Sequence, residues 1–189
     1  MATGNLFVVS GPSGAGKGTL LNRVLKDVRG AWLSISATTR NPRAGEVDGV
    51  HYFFRTNSEF TELIAADGLL EWAVVHGNYY GTLREEVLRR LAVGIDVILE
   101  IDPQGAFQVR QNYPQAILIF IAPPSMEVLE QRLRLRGTET EEQIQTRLKT
   151  ARLELAQADR YNVTIVNDEL DSAAAELKAV LSQPYVSDN

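Results

Sequence analysis

The fold of this chain is decided by the stretch Gly11-Pro12-Ser13-Gly14-Ala15-Gly16-Lys17-Gly18-Thr19. It follows a short apolar run at residues 6–9, which is typical of a strand buried on both faces. The glycines let backbone N–H groups wrap around an anion, and the lysine supplies a point charge for phosphate. A helix that begins near Lys17 adds the positive end of its dipole. We therefore predict a phosphate-binding loop between the first strand and the first helix.

Outward from this loop, strand-like and helix-like patterns alternate along the chain. The alternating segment 32–38 predicts a strand, and Thr140 with Gln143 forms the capping box expected at the start of a helix. The continuous apolar runs that predict the remaining buried strands are residues 97–99, 117–122 and 164–166. A terminal helix is expected at residues 173–181, stopped near Pro184. The prediction is an α/β fold with a mostly parallel five-stranded sheet flanked by helices.

Two segments interrupt this alternation. Residues 39–93 indicate an inserted subdomain, and residues 127–158, rich in charge and helix, indicate a second appendage. The predicted elements of the insertion are strands at 50–54 and 69–75 and helices at 58–66 and 83–91. We predict a single domain over residues 4–184. Its core segments are about residues 4–38, 94–126 and 159–184.

The composition narrows the function classes. The chain has 189 residues, no cysteine, and a net charge of −5 from 24 acidic and 19 basic residues. A cysteine nucleophile and a thiolate zinc site are excluded, and a nucleic-acid binder usually carries the opposite charge balance. The longest apolar run, residues 116–122, is too short to span a bilayer, and no positive region precedes the first apolar stretch. We expect a cytoplasmic protein that binds neither nucleic acid nor membrane, whose oligomeric state stays open.

Four further motifs follow the phosphate loop. They are Ser36-Ala37-Thr38-Thr39-Arg40-Asn41-Pro42-Arg43, Gly45-Glu46-Val47-Asp48-Gly49-Val50-His51-Tyr52, Glu71-Trp72-Ala73 and Gly77-Asn78-Tyr79-Tyr80-Gly81-Thr82. The two arginines lie on a proline-containing loop and can fork onto one phosphate. Gly18 stands where many phosphate loops carry a hydroxyl, and this variant resembles the loop of nucleoside monophosphate kinases. From about residue 5 to about residue 181 the sequence resembles the guanylate kinase family of P-loop proteins, which phosphorylate GMP with ATP.

The resemblance implies a GMP site with a phosphate part and a base part. The residues implied to hold the GMP phosphate are Arg40, Arg43, Tyr52 and Tyr80. Those implied to read or support the guanine are Ser36, Glu71, Thr82 and Asp102. A carboxylate at Glu71 would accept both adjacent N–H donors of guanine, whereas adenine presents an unprotonated N1 there. Because an unpaired buried charge is costly, we expect AMP to be rejected by orders of magnitude.

The resemblance also implies an ATP site and a lid. The residues implied to bind ATP are residues 11–19 and Asn167, and the implied catalytic cations are Lys17, Arg132, Arg136 and Arg147. Mg²⁺ is expected to bind mainly through ATP oxygens and water, and the side chains that could touch it are Thr19, Glu100 and Asp102. The acceptor phosphate, with a second pKa of about 6, is already a nucleophile and needs no general base. Both appendages are expected to close over the nucleotides.

The sequence leaves structural alternatives open. Glu71 also fits an exposed strand residue, and Asp102 followed by Pro103 also fits a helix N-cap. Arg40 and Arg43 also fit solvated loop charges, the lid arginines fit a salt-bridged helical hairpin, and Asn167-Asp168 fits a simple turn. Two other functions compete: a peptide-binding module related to this family, and a kinase for another phosphate acceptor. An intact Lys17 and the carboxylate at Glu71 favour the GMP kinase.

Overall fold

The computed structural model describes residues 3–28, 30–135, 137 and 139–182 of the chain. Within these residues, the strands form one sheet of five strands and one of four. The strands are β1 Leu6–Ser10, β2 Ala31–Leu33, β3 Ala37–Thr38, β4 Phe53–Phe54, β5 Leu69–Val75, β6 Asn78–Leu83, β7 Asp96–Glu100, β8 Ile117–Ala122 and β9 Val163–Val166. The α-helices are α1 Lys17–Val24, α2 Asn57–Ala65, α3 Arg84–Ala92, α4 Pro103–Asn112, α5 Met126–Leu135, α6 Glu141–Leu155 and α7 Leu170–Ser182.

The five-stranded sheet has the strand order β2-β7-β1-β8-β9, and its described pairings are all parallel. The central strand β1 is buried along its whole length because helices cover both faces. Phe7 and Val9 belong to the apolar cluster that includes residues of α1 and α7, whereas Leu6 and Val8 belong to the cluster of α3 and α4. The chain leaves β1 at its carboxyl end, where ligand sites form in sheets of this kind. The predicted α/β fold is confirmed.

The four-stranded sheet has the strand order β4-β3-β6-β5. Strand β6 pairs antiparallel with β3 and β5, and β3 pairs parallel with β4. Ala37, Phe60 and Leu69 form a small apolar cluster between this sheet and α2. A capping box of Thr56 and Glu59 satisfies backbone N–H groups at the start of α2. This second sheet therefore has its own apolar core.

Two strand predictions are wrong in their bounds, and one strand is missed. Segment 32–38 is not one strand, because Ala31–Leu33 pairs with β7 in the first sheet while Ala37–Thr38 pairs with strands of the second. Side chains alternate in the same way in either sheet, so the alternation cannot locate the break. The predicted strand 50–54 is reduced to Phe53–Phe54. Strand Asn78–Leu83 is not predicted, because its asparagine and glycine are also typical of turns.

Helices α5 and α6 pack against each other over the phosphate-loop side of the chain. The buried residues between them are Leu129, Leu133, Ile144, Leu148 and Ala151. The predicted capping box is confirmed, since Thr140 Oγ1 accepts from the Gln143 N–H at 3.3 Å and Gln143 Oε1 accepts from the Thr140 N–H at 2.8 Å. The helix predicted at residues 173–181 spans Leu170–Ser182, and Pro184 lies outside the described residues. In the part of the chain that the structure describes, no helix is long and apolar enough to cross a membrane.

Candidate active site

The loop between β1 and α1 has a backbone conformation that requires glycine. Gly11 and Gly16 have φ angles of 139° and 91°, in the left-handed region that favours glycine. A Cβ at Gly11 would lie 2.2 Å from the carbonyl oxygen of Ile121. Lys17 Nζ donates hydrogen bonds to the carbonyl oxygens of Gly11 at 2.6 Å and Pro12 at 3.1 Å. The lysine side chain therefore folds back onto the start of the loop.

Side chains from three other segments contact the same loop. Asn167, which follows β9, is buried, and its Nδ2 donates to the carbonyl oxygen of Ala15 at 2.7 Å. Arg132 of α5 donates from Nη2 to the Asn167 carbonyl oxygen at 2.9 Å. Arg147 of α6 donates from Nη1 to the Ser13 hydroxyl at 2.7 Å. The structure thus brings these three predicted ATP-side residues together around the loop.

The arginines of the helical lid differ in their ion-pair partners. Arg147 also forms an ion pair with Glu139 at 2.6 Å, and Glu139 Oε2 is buried without a partner among the described residues. Arg134 is held by Glu141, with Nη2 donating to Oε1 at 2.7 Å. The predicted catalytic Arg136 lies outside the described residues. Arg134 therefore fits the alternative of a salt-bridged helical hairpin, whereas Arg147 forms both a salt bridge and a hydrogen bond to the phosphate loop.

The three side chains considered for magnesium lie around the ends of β7 and α1. Glu100, the last residue of β7, faces the loop, and a Cβ at Gly18 would lie 3.4 Å from its Oε1. Burial raises the pKa of the Glu100 carboxyl, and the charge of Lys17 lowers it. Thr19 lines a cavity of about 350 Å³ beside the loop, and Asp102 begins α4. Among the described residues, no cluster of three or more acids and histidines could hold a metal. The few oxygen donors of Glu100, Thr19 and Asp102 suit Mg²⁺, because this ion takes most of its ligands from phosphate oxygens and water.

Arg40 lies among acidic and aromatic side chains. Its Nη2 is 2.9 Å from Glu46 Oε1, and the backbone N–H of Arg43 donates to Glu46 Oε2 at 2.7 Å. These two hydrogen bonds lower the pKa of Glu46 to about 2. The Arg40 guanidinium lies 5.4 Å from the ring centroid of Tyr52, which is 6.1 Å from that of Tyr80. The structure thus brings the side chains of Arg40, Tyr52 and Tyr80 together with the backbone N–H of Arg43. Glu46 is a residue that the sequence reasoning does not assign, although its motif is quoted.

Glu71 is buried in the second sheet, with 7% of its surface exposed. The alternative of an exposed strand residue is therefore wrong. Its Oε1 accepts a hydrogen bond from Thr82 Oγ1 at 2.7 Å. The pKa of the Glu71 carboxyl is raised to about 7, chiefly because the group is buried; the hydrogen bond from Thr82 opposes this shift, and the charge of Asp102 adds to it. The site therefore holds a carboxyl group that titrates near neutral pH.

The start of α4 forms a wall of this carboxyl site. Asp102 Oδ1 accepts from the Gly105 N–H at 2.8 Å, so the N-cap alternative for Asp102 is confirmed. A Cβ at Gly105 would lie 2.9 Å from Glu71 Oε2. The sequence reasoning misses Gly105, and a glycine in the first turn of a helix is the signal that could have found it. Ser36 lies just before β3, and its carbonyl oxygen accepts from the Phe53 N–H at 2.9 Å.

Two groups of cationic side chains and backbone N–H donors lie on different parts of the protein. A loop that carries Lys17 lies at the carboxyl edge of the parallel sheet, and the Arg40 cluster lies on the inserted sheet. A phosphoryl group passes between two such groups in phosphotransferases of the P-loop class, where positioning and charge do most of the work. The fold and site therefore define a P-loop kinase.

Comparison with known proteins identifies the family. The Guanylate kinase family model matches residues 3–184, and the chain belongs to this family. It is 56% identical over 171 residues to a guanylate kinase of Synechococcus sp. (strain CC9311), covering 90% of each chain. It is also 56% identical over 176 residues to a guanylate kinase of Gloeobacter violaceus, covering 93% of this chain and 86% of the relative.

Solved structures show the same fold. The crystal structure of guanylate kinase from Anaplasma phagocytophilum matches with a TM-score of 0.73 at 33% identity, covering 95% of this chain and 85% of that one. Shikimate kinase from Bacteroides thetaiotaomicron matches with a TM-score of 0.51 at 16% identity, covering 95% of this chain and 99% of that one. The second likeness shows the fold alone.

Proposed function

We propose that this protein transfers the γ-phosphoryl group of ATP to GMP, with ADP and GDP as products in purine nucleotide metabolism. The observation that carries the proposal is the buried pair of Glu71 and Thr82. The carboxylate accepts the N1 and N2 donors of guanine, and the Thr82 hydroxyl orients it by donating its one proton to Oε1. Adenine presents an N1 lone pair and a C2–H in place of the N1 and N2 donors, so both hydrogen bonds to the carboxylate are lost. The pair therefore favours guanine over adenine.

The acceptor phosphate is assigned to the Arg40 cluster. Glu46 already directs the Arg40 guanidinium and the Arg43 N–H toward one point. A guanidinium has five N–H donors, so Arg40 can keep its bond to Glu46 and also donate charge-assisted hydrogen bonds to a phosphate dianion. Tyr52 and Tyr80 border the cluster and supply phenolic donors.

The transfer itself needs little covalent help from the protein. The GMP phosphate is the nucleophile, and the described residues around the loop supply positive charge rather than a base. Lys17, Arg132 and Arg147 are placed to neutralise charge on the phosphates of ATP, and the sequence adds Arg136. Mg²⁺, bound with ATP, would neutralise phosphate charge and orient the leaving group. Glu100 faces Gly18 of the loop, and Thr19 and Asp102 are the other two residues proposed to hold its waters.

Different segments of the chain are proposed to bind GMP and ATP. Residues 39–93 bind GMP, residues 127–158 form a lid over ATP, and the remaining segments carry the loop. Closure of both segments would exclude water from the phosphoryl group in transit. We place the reaction in the cytoplasm, where ATP and GMP are found, with no nucleic-acid or membrane partner.

The test is ATP-dependent release of ADP with GMP, AMP, CMP, UMP and dTMP in turn, with Mg²⁺ and with excess chelator. Turnover on GMP that exceeds turnover on AMP by at least about a hundredfold is expected, and it should stop without Mg²⁺. Turnover on another monophosphate would contradict the base site while leaving the kinase class in place. No turnover on any of the five would contradict the proposed function and favour a binding module.

A further inference from the structure

The outer edge of β5 is closed by side chains instead of a strand. In the four-stranded sheet β5 lies at the end of the order and pairs with β6 on one side. On its other side, Gln108 Oε1 accepts from the Trp72 N–H at 3.1 Å, and Gln108 Nε2 donates to the Trp72 carbonyl oxygen at 3.0 Å. Asn112 Nδ2 donates to the Leu70 carbonyl oxygen at 2.9 Å. One glutamine amide therefore pairs with a residue of the sheet as a neighbouring strand would.

These hydrogen bonds hold the backbone around Glu71, the residue proposed to recognise the guanine base. Leu70 and Trp72 are the residues on either side of Glu71, so α4 holds the backbone immediately before and after it. The same helix touches the Glu71 carboxyl through Gly105, whose added Cβ would lie 2.9 Å from Oε2. Gly105, Gln108 and Asn112 are spaced by three and four residues, which places them on one face of α4.

Helix α4 also connects this acid to the phosphate-loop side of the molecule. It begins at Asp102, two residues after Glu100 ends β7 of the parallel sheet. The position of Glu71 relative to the loop is therefore set through α4, and the amide of Gln108 is the contact that fixes both polar backbone groups of one β5 residue. An amide side chain offers a donor and an acceptor on separate atoms, which a carboxylate or an apolar side chain does not.

We propose that Gln108 is a positioning residue for guanine specificity, which acts by holding β5 so that the Glu71 carboxylate meets both N1 and N2 of the base. This inference rests on the proposed function. It concerns the guanine end of the acceptor, so it predicts an effect on GMP and none on ATP. IMP is the matched probe, because its base keeps the N1 donor and the O6 acceptor but lacks the 2-amino donor.

The test compares Gln108→Met with Gln111→Met, which makes the same change at an exposed glutamine of the same helix. We expect Gln108→Met to raise KM for GMP about tenfold, because two backbone hydrogen bonds are lost, and to leave KM for ATP within about twofold. The preference for GMP over IMP, measured as the ratio of kcat/KM values, should fall by about fivefold. Gln111→Met should leave all three quantities within about twofold of the wild type.

A double-mutant cycle separates positioning from general stability. In a Glu71→Gln background the carboxylate is absent, so Gln108→Met should no longer change the ratio of GMP to IMP. If Gln108→Met does not fold, Gln108→Asn carries the same test, because the shorter amide cannot reach both groups of Trp72. An unchanged ratio in the folded variant, or equal rises in KM for GMP and ATP, would overturn the inference. Absence of GMP turnover in the wild type would instead contradict the proposed function.

Discussion

Thr82 and Glu71 face each other across the antiparallel pair of β6 and β5, and Thr82 Oγ1 donates to Glu71 Oε1 at 2.7 Å. The hydroxyl therefore orients the carboxyl group that the proposal assigns to the guanine edge. Because the carboxyl group is buried, it gains little hydration to offset its charge. The Glu71 carboxyl group is thus already oriented in the free protein. Its buried surroundings disfavour the ionised form.

This relationship predicts a pH dependence of GMP binding. Burial raises the pKa of Glu71 to about 7, and only the ionised form accepts both N–H donors of guanine. Between pH 7.5 and pH 6 the ionised fraction falls, and KM for GMP should rise by about eightfold, beyond the contribution of the GMP phosphate. Steady-state kinetics of the wild type and of Glu71→Gln measure this, since the variant keeps only the phosphate contribution. Parallel profiles for the two proteins would contradict the assignment.

Glu71→Gln should stabilise the free protein while lowering, but not abolishing, its turnover of GMP. The folded-state pKa of Glu71 lies above the ordinary 4.5, so the folded protein binds a proton that the unfolded chain releases as pH rises. The wild type therefore loses stability between about pH 4.5 and pH 7, by about 3 kcal/mol in all. At pH 8 the variant should melt roughly 6–12 °C above the wild type, and the difference should shrink toward pH 4.5. A difference in melting temperature that does not change with pH would refute the explanation.

Lys17→Met should abolish turnover without unfolding the protein. The ammonium folds back onto Gly11 and Pro12 in the phosphate loop, where it would meet the β- and γ-phosphates. Loss of this charge is expected to lower kcat by at least about a hundredfold. The control is Lys26→Met, an exposed lysine just after the C-terminal end of α1. Turnover that survives in Lys17→Met would point away from a P-loop kinase.

Arg147 and Arg134 offer a matched pair on the helical lid. Arg147 reaches Ser13 of the loop, whereas Arg134 is held by Glu141. We expect Arg147→Met to lower kcat by about a hundredfold, because a cation over the transferring phosphoryl group is lost. Arg134→Met should stay within about threefold, since exposed salt bridges contribute little. Equal losses in the two variants would mean that the lid acts through its fold and not through Arg147.

Gly105→Ala tests the wall of the carboxyl site. The added methyl group would lie 2.9 Å from Glu71 Oε2, so the carboxyl group must move. KM for GMP should rise by about tenfold, while the stability of the free protein should change little, because the gain of about 1 kcal/mol for alanine over glycine in a helix offsets the cost of moving the buried carboxyl group. Kinetics and thermal melting on the same preparation separate the two effects. An unchanged KM for GMP would show that the carboxyl group need not stay where Gly105 now allows it.

Local chemistry was well predicted from the sequence. The boundaries of the strand at 117–122 and the capping box of Thr140 are reproduced, because both depend on residues that lie near one another in the chain. The phosphate loop belongs to the same group, since its glycines are required by its own backbone. The predicted site residues from β3 to α4 were named through a resemblance, and their roles stay predictions.

Contacts between residues that lie far apart in the sequence were harder to predict from it. The break within segment 32–38 depends on which of two sheets each end joins, and alternation is identical in both. Glu46 and Gln108 were not assigned, because an acid in a loop and a glutamine on a helix carry no local pattern that marks them. Their roles depend on hydrogen bonds to Arg40 and Trp72, which lie 6 and 36 residues away in the chain.

The sequence alone determined the α/β class and the phosphate loop, because both follow from short-range spacing of apolar residues, glycines and a lysine, and the family followed from the resemblance of its motifs. Only the tertiary structure decided that Glu71 is buried, that its pKa lies near 7, and that α4 holds the strand around it. The physical reason is that ionisation and positioning depend on the dielectric surroundings and hydrogen-bond partners of a group. Those are supplied by Thr82, Asp102 and Gln108, which folding brings to Glu71 from other elements.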